Sequence, residues 1–394
     1  MNAPAINPAI ATMDVPPIPL VQSWARAYDG RAGALRDLSQ AVPGYPPHPD
    51  LLDHLSKLAA SPDLAGYGDI EGEPALRAAF AASQSEQLGV SLTADSIQIT
   101  SGCNQAFVVA MLTLAGAGSR VLLSDPCFFN NASALEMLGM TPVTFPCDPA
   151  RGFQPDADVV WHAIETHRPA VVALVSPNNP TGAIYDAATL DEIVAGCREA
   201  GVWLVLDETY ADFILSCNAP RHTLLRDPDW AQSVVLLYSF SKVYCTPGLR
   251  IGALTAGADV IAETAKVVDN LQICAPRHAQ AALAHAVPEL GSWRASNTEE
   301  IARRADAFRA TLSQAPGWEI TALGAYFAWV RHPFGERSSV EVAEMLATQR
   351  GLVVIPGEFF GAGQTRYLRF AFANVTEAEL ADVGLRLAAL SKTG

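Results

Sequence analysis

The chain has 394 residues, of which 50% are hydrophobic and 17% are charged, so it has enough apolar residues for a large core and more than one domain. Its 26 Lys and Arg against 41 Asp and Glu give a formal net charge of -15, which argues against broad binding to nucleic acid. Seven scattered cysteines without a C-x-x-C pair favour reduced thiols in the cytoplasm, and the lack of a signal peptide or a long apolar run predicts neither export nor membrane insertion.

The N-terminal two thirds of the chain show alternating strand-like and helix-like runs. A proline-rich segment at 43–49 is expected to mark the passage from an N-terminal arm into the main body. The runs that follow are SIQIT (96–100), QAFVVAMLTLAG (105–116), RVLLS (120–124), ASALEMLG (132–139), AVVALVS (170–176), TLDEIVAGCREAG (189–201), VWLVLD (202–207), VVLLYS (234–239) and IGALT (251–255). This alternation predicts an α/β domain with a mostly parallel sheet covered by helices.

The residues after about 290 have a different character. They comprise a charged helix (297–314), a strand pair around 325–331 and 367–373, and a closing helix (376–390). This composition predicts a smaller α+β domain. We therefore expect an N-terminal arm with part of the small domain at 1–48, a large domain at 49–288 and a small C-terminal domain at 289–394.

Lys242 follows an almost wholly apolar run, 234–240, which is typical of a strand buried on both faces. Pro247 and Gly248 then predict a turn. Because ligands of open α/β sheets bind beyond the carboxyl ends of the strands, Lys242 is a candidate for chemistry. The alternative is that Lys242 and Arg250 are ordinary surface charges.

Three other strand ends carry polar residues. TSGCNQ (100–105) opens a helix, whose backbone N–H groups suit a phosphate. SPNNPTG (176–182) reads equally well as a plain turn. Asp207 and Glu208 end a buried strand, where a carboxylate needs a cation or hydrogen bonds to stay ionised. A structural salt bridge from either carboxylate to Lys242 or Arg250 remains an alternative.

Together these groups suit the binding of pyridoxal phosphate through a lysine. The stretches SGCNQA, DPCFF, SPNNPTG, DETY and SFSKVYCTPGLRIG, in this order, resemble the class I/II pyridoxal-phosphate aminotransferases of the aspartate aminotransferase fold over nearly the whole chain. The resemblance implies fold type I, with a mostly parallel seven-stranded sheet flanked by helices and a small α+β domain. It also implies pyridoxal 5′-phosphate as the cofactor.

The resemblance assigns roles to individual residues. Lys242, Asp207 and Tyr210 are the implied catalytic residues: Lys242 as the internal aldimine lysine, Asp207 as the partner of the pyridine nitrogen, and Tyr210 as a donor to the phenolic oxygen. The implied cofactor-binding residues are Tyr67, Ser101, Gly102, Cys103, Asn104, Phe128, Asn179, Asp207, Tyr210, Ser239, Ser241, Lys242 and Arg250. Phe128 would stack on the ring, and Arg250 would grip the phosphate. No metal site is expected.

Substrate binding is assigned by the same resemblance to Arg369, Asn179 and Ala41, with Arg369 holding the α-carboxylate. Tyr67 resembles the tyrosine that reaches the neighbouring subunit's phosphate, which implies a homodimer with shared active sites. Ala41 and Ala325 stand where relatives usually have glycine, and Cys245 and Thr246 replace small and apolar residues. Arg277 reads either as a contact for a substrate side-chain carboxylate or as a capping or surface charge.

The implied reaction moves an amino group from an L-amino acid to a 2-oxo acid through internal aldimine, quinonoid and pyridoxamine phosphate. The same scaffold hosts β-lyases, racemases and biosynthetic enzymes, which stay open as alternatives. A cofactor-holding regulator is a further alternative, disfavoured because the roughly 40 residues before the main body are not basic.

Overall fold

The computed structural model describes residues 6–214 and 221–391. The strands are β1 (Arg36–Asp37), β2 (Ile97–Thr100), β3 (Arg120–Asp125), β4 (Thr141–Pro146), β5 (Val171–Val175), β6 (Trp203–Asp207), β7 (Val234–Ser239), β8 (Gly252–Thr255), β9 (Glu319–Gly324), β10 (Phe327–Arg331), β11 (Leu352–Val353), β12 (Ile355–Pro356) and β13 (Tyr367–Phe370). The helices are α1 (Pro8–Ala11), α2 (Pro17–Arg26), α3 (Pro49–Ala59), α4 (Pro74–Leu88), α5 (Cys103–Leu114), α6 (Phe129–Met137), α7 (Ala157–His167), α8 (Ala187–Ala200), α9 (Phe240–Val243), α10 (Ala258–Gln272), α11 (Arg277–Glu289), α12 (Gly291–Leu312), α13 (Ser339–Arg350) and α14 (Glu377–Ser391).

The main sheet has seven strands in the order β2-β8-β7-β6-β5-β3-β4. Five neighbouring strands, β7, β6, β5, β3 and β4, run parallel, and β8 is antiparallel to both of its neighbours. The chain passes from β7 to β8 through the short helix α9 and a turn, without the long crossover that a parallel neighbour would need. The mostly parallel sheet predicted from the sequence is therefore confirmed.

Both faces of this sheet are covered, which explains why its central strands are apolar at nearly every position. In β5, Val171 and Ala173 pack into one hydrophobic cluster, whereas Val172 and Leu174 pack into the other. A strand between two layers of helices gains burial from both sets of side chains. The carboxyl ends of β5, β6 and β7 consequently lie side by side at one edge of the sheet.

The predicted runs at 96–255 match strands and helices of the structure, but they include neither α7 nor β4. The sequence of β4, TPVTFP, contains Pro142 and Pro146, and proline has no backbone N–H to donate to a neighbouring strand. β4 is the outermost strand, next to β3 only, so the missing N–H groups cost little there. Edge strands of this kind lack the apolar pattern of central ones.

A second, antiparallel sheet has the order β12-β13-β10-β9 and contains the predicted strand pair, β10 and β13. Trp329 of β10 lies opposite Arg369 of β13 in this pair. The short strands β1 and β11 form a parallel pair, which joins residues 36–37 to 352–353. The domain boundaries at 48 and 288 remain a prediction.

Candidate active site

A small cavity of about 120 Å³ lies at the carboxyl ends of β5, β6 and β7. We call it the lysine cavity. Its lining residues are Cys103, Asn104, Phe128, Val175, Asn179, Asp207, Thr209, Tyr210, Ser239, Ser241, Lys242, Pro247 and Arg250. Ten of the thirteen were singled out from the sequence; Val175, Thr209 and Pro247 were not. The edge of the sheet where the sequence placed a ligand is therefore where the chain forms a cavity.

Lys242 stands in α9, directly after the central strand β7. Its Nζ donates a hydrogen bond of 2.5 Å to the carbonyl of Ala41 and lies 5.9 Å from the centre of the Tyr210 ring. Burial, followed by the positive charges of Arg369 and Arg250, lowers the pKa of Lys242 to about 8. A lysine with this pKa has neutral amine available near neutral pH, as a nucleophile or a base requires.

Asp207 ends β6 and is half-buried. Its Oδ1 accepts hydrogen bonds from the Thr209 backbone N–H at 2.9 Å and from the Cys103 thiol at 3.5 Å. Burial raises the pKa of Asp207. Among the residues that the structure describes, no cation forms an ion pair with this carboxylate, so its charge lacks a counterion within the chain.

Glu208, the next residue, has the opposite environment. It is 2% exposed and forms ion pairs with Arg221 and, at 3.0 Å, with His222. Burial alone would raise the pKa of Glu208, but the charges and hydrogen bonds of Arg221 and His222 lower it to about 2. The salt bridge considered from the sequence, with Lys242 or Arg250 as the cation, is wrong for Glu208, because Arg221 reaches it from a loop that the pattern did not connect to β6.

The lysine cavity also has donors suited to an anion. Arg250 is exposed, donates to the Pro247 carbonyl at 2.9 Å and the Ser101 carbonyl at 3.4 Å, and lies against Gly102. Gly102 has φ +87°, and a Cβ there would collide with the Arg250 guanidinium. Gly102 is also the N-cap of α5, whose first N–H groups lack intrahelical partners. A cation and a helix N-terminus thus meet here.

Ser239 and Ser241 line the cavity at the start of α9. Both are buried, and the Ser239 hydroxyl caps the helix by accepting from the Ser241 N–H at 3.3 Å. The Cys103 thiol donates to Asp207, so a contact of Cys103 with an anion would come from its backbone N–H at the start of α5. Burial raises the pKa of Cys103, so the sulfur remains a protonated donor.

Arg369 is 2% exposed, in the second sheet. Its guanidinium donates to Asn179 Oδ1 at 2.8 Å and to the Ser39 carbonyl, and it lies 4.7 Å and 5.1 Å from the ring centres of Phe327 and Phe360. Its Nε has no hydrogen-bond partner within the described chain. Burial lowers the pKa of Arg369 to about 10, so the side chain stays a cation near neutral pH.

Tyr210 and Phe128 contribute the aromatic surfaces of the lysine cavity. Tyr210 is 4% exposed and packs against Tyr326 and Phe327, with ring centres at 5.4 Å and 5.0 Å. Burial raises the pKa of Tyr210, which leaves its hydroxyl protonated. Phe128 is half-buried and contacts Phe129, with ring centres 5.0 Å apart.

Some predicted residues do not line the cavity. Ala41, Ser101, Gly102 and Arg369 adjoin it through contacts with Lys242, Arg250 and Asn179. Tyr67 is 79% exposed and does not contribute to the lining.

Arg277 begins α11 and forms an ion pair with Glu73 at 2.5 Å, besides a bond of 2.8 Å to the Asp63 carbonyl. The choice between a substrate contact and a capping or surface charge for Arg277 stays a prediction. Thr209, which the sequence reading missed, could have been found, since an N–H two residues after an aspartate is a common partner of that carboxylate.

Comparisons with known proteins agree with this geometry. The family model described as "Aminotransferase class I and II" matches residues 34–385. The chain is 31% identical over 356 residues to the aromatic aminotransferase ISS1 of Arabidopsis thaliana, covering 89% of this chain and 88% of that protein. It is 28% identical over 380 residues to an aspartate aminotransferase of Streptomyces avermitilis, covering 89% and 90%. A double mutant of the Thermus thermophilus aspartate aminotransferase, 22% identical, superposes with a TM-score of 0.89 over 98% of this chain and 100% of that one, which confirms the predicted fold.

Proposed function

Because the chain belongs to the class I and II aminotransferase family and is an aminotransferase, we propose that its lysine cavity holds pyridoxal 5′-phosphate. The observation that carries the proposal is that Lys242 and Asp207 share one small cavity without pairing with each other in the described chain. Lys242 donates to a backbone carbonyl, and Asp207 accepts only from neutral donors. Both groups therefore retain the capacity to bind a third group.

The rest of the lysine cavity fits the cofactor. Arg250, the α5 N-terminus and the hydroxyls of Ser239 and Ser241 would hold the phosphate, because they combine positive charge with hydrogen-bond donors. Asp207 would hold a proton on the pyridine nitrogen and gain there the counterion that the described residues do not supply. Phe128 would cover the ring, and Asn179 and Tyr210 would donate to its phenolic oxygen.

When bound, the cofactor supplies an aldehyde that takes up the donor's amino group and a ring that draws electrons from its Cα. Lys242, with its lowered pKa, would take the proton from the donor's Cα at Nζ and give it to the C4′ carbon of the cofactor. Arg369 would bind the α-carboxylate of the donor. Its buried Nε lacks a partner in the described chain, and Asn179 and the Ser39 carbonyl fix its orientation.

A homodimer is part of the proposal. Tyr67 is a large side chain with 79% exposure and lies outside the lysine cavity of its own chain. Exposure of this extent suits a residue that completes the phosphate site of a second subunit. Sedimentation of wild type and Tyr67→Phe, combined with the dissociation constant of the cofactor, tests this: weaker cofactor binding by an intact dimer is the expected result, and a wild-type monomer contradicts it.

A cytoplasmic location is also proposed. The six cysteines within the described residues are all unpaired, and Cys217 lies outside them. Across residues 6–214 and 221–391, no helix has the length and apolarity needed to cross a membrane.

The proposal is tested by Lys242→Ala with Lys266→Ala as the matched control, since Lys266 is an exposed lysine on α10 that pairs with Glu263 at 2.6 Å. Wild type and Lys266→Ala should show a visible cofactor band that bleaches when an amino acid donor is added. Lys242→Ala should show neither this band nor turnover. Borohydride reduction and peptide mapping should find the cofactor's mass on Lys242, and its appearance on another residue would refute the assignment. Release of pyruvate and ammonia from the donor would indicate a lyase instead.

A further inference from the structure

A second cavity, of about 640 Å³, lies beside the lysine cavity. We call it the apolar chamber. Its lining residues are Met13, Asp14, Val15, Pro16, Pro17, Asn104, Phe107, Val108, Phe129, Asn130, Asn131, Ser133, Ala134, Met137, Glu358 and Phe359. The segment before α2 forms one wall, and α5 and α6 form two others. Neither the composition nor the motifs of the sequence pointed to it.

The apolar chamber adjoins the candidate active site at two places. Asn104, near the start of α5, lines both cavities. Phe129 lines the chamber and packs against Phe360, with ring centres 5.3 Å apart, and Phe360 in turn covers the Arg369 guanidinium at 5.1 Å. These two contacts connect the wall of the chamber to the proposed carboxylate-binding arginine.

The charged side chains that line the apolar chamber in the described structure are all acidic. Two carboxylates, Asp14 and Glu358, line it, and no Lys, Arg or His does so in the part of the chain that the structure describes. Glu358 is held by the Ser339 hydroxyl at 2.7 Å and the Val340 N–H at 3.2 Å, which are neutral donors. An acidic side chain entering the chamber would meet like charges without a counterion, which disfavours it.

We infer that the apolar chamber receives the side chain of the amino donor and selects large apolar side chains, aromatic or long aliphatic, over acidic ones. The inference rests on the proposed function and deepens it. Burial of the donor's side chain against Phe107, Val108, Phe129 and Phe359 supplies the binding free energy, and the volume accommodates a ring. Arg277, the cation considered from the sequence for an acidic donor, forms an ion pair with Glu73.

The inference is tested with the full-length enzyme loaded with pyridoxal phosphate, by titrating the cofactor band with two unreactive acids, 3-phenylpropionate and succinate. We expect 3-phenylpropionate to bind about 100-fold more tightly. In single-turnover experiments, phenylalanine should bleach the cofactor band faster than aspartate does. Tighter binding of succinate, together with faster bleaching by aspartate, would overturn the inference while leaving the proposed function intact.

A pair of variants on α5 sharpens the test. Val108→Lys places a cation in the chamber, so succinate should bind about tenfold more tightly and 3-phenylpropionate about tenfold more weakly. The control is Leu112→Lys, one turn further along the helix, where the side chain is 41% exposed and outside the chamber; it should change neither value. Unchanged ligand preference in Val108→Lys with a changed sedimentation coefficient would show that a second copy covers the chamber. A preparation that binds no cofactor would refute the proposed function.

Discussion

Asp207 and Glu208 are consecutive carboxylates at the end of β6, yet the partners of the two side chains differ. The partners of Glu208 are complete: it forms an ion pair with Arg221 and a hydrogen bond of 3.0 Å with His222, and the guanidinium of Arg221 is itself held by Gln84 and Gln87 at 2.7 Å and 2.8 Å. Asp207 accepts from Thr209 and from the Cys103 thiol, and none of its partners among residues 6–214 and 221–391 is a cation. The comparison teaches that a buried carboxylate whose partners are complete stabilises the fold, whereas one left without a cation marks a place for a ligand.

The largest expected effect is a loss of activity on substitution of Asp207, which distinguishes this carboxylate from Glu208. Asp207→Asn should lower kcat/KM by about 10³-fold, since it removes the charge that would keep the pyridine nitrogen protonated. The thermal transition of the cofactor-free protein should stay the same or rise, because burial raises the pKa of Asp207 and the charged form costs folding free energy. Steady-state kinetics and calorimetry on the same sample measure both. A large loss of stability in Asp207→Asn would show that Asp207, like Glu208, stabilises the fold.

The second prediction concerns stability. Glu208→Gln should lower the free energy of unfolding by about 3 kcal/mol, because it leaves the buried Arg221 without its counterion. Urea denaturation measures the change. The control, Glu263→Gln, breaks an exposed pair with Lys266 and should leave the transition unchanged. Equal midpoints for the two variants would show that the Glu208 cluster does not support the fold.

The pH dependence of the stability that Glu208 contributes follows from the direction in which its pKa is shifted. The pKa of Glu208 is lowered from 4.5 to about 2 in the folded chain, so its contribution is complete above pH 4.5 and disappears as the pH falls towards 2. The stability gap between wild type and Glu208→Gln should therefore narrow across this interval. A gap that is constant from pH 5 to pH 2.5 would contradict the ion-pair account.

The smallest expected effect concerns the Cys103 thiol, which donates a hydrogen bond to Asp207. Cys103→Ala removes the thiol that donates at 3.5 Å and should lower kcat/KM about fivefold, whereas Cys103→Ser retains a donor and should lower it less. The apparent pKa of the cofactor band should move in Cys103→Ala and stay close to the wild-type value in Cys103→Ser. Identical bands in all three proteins would assign the thiol a packing role only.

The sequence predicted this edge of the sheet well because short-range chemistry is enough there. An apolar strand followed by Lys242, and another followed by Asp207, place both groups at the same edge in any parallel sheet. The turn SPNNPTG shows where such reasoning stops. Asn178 serves the turn, accepting from the Thr181 N–H at 3.2 Å, as the plain-turn reading expects, while its neighbour Asn179 binds Arg369, 190 residues away.

What the sequence determined by itself was the alternation of strands and helices, the order of the motifs and the residues at the strand ends, because each depends on neighbours along the chain. The tertiary structure decided which carboxylate is neutralised, which amide meets Arg369 and where the apolar chamber lies. The wall at Met13–Pro17 comes from a segment distant in the sequence from α5 and α6, and even Arg221, 13 residues from Glu208, meets it only through the fold. Burial and charge pairing act through space, so only the folded chain fixes them.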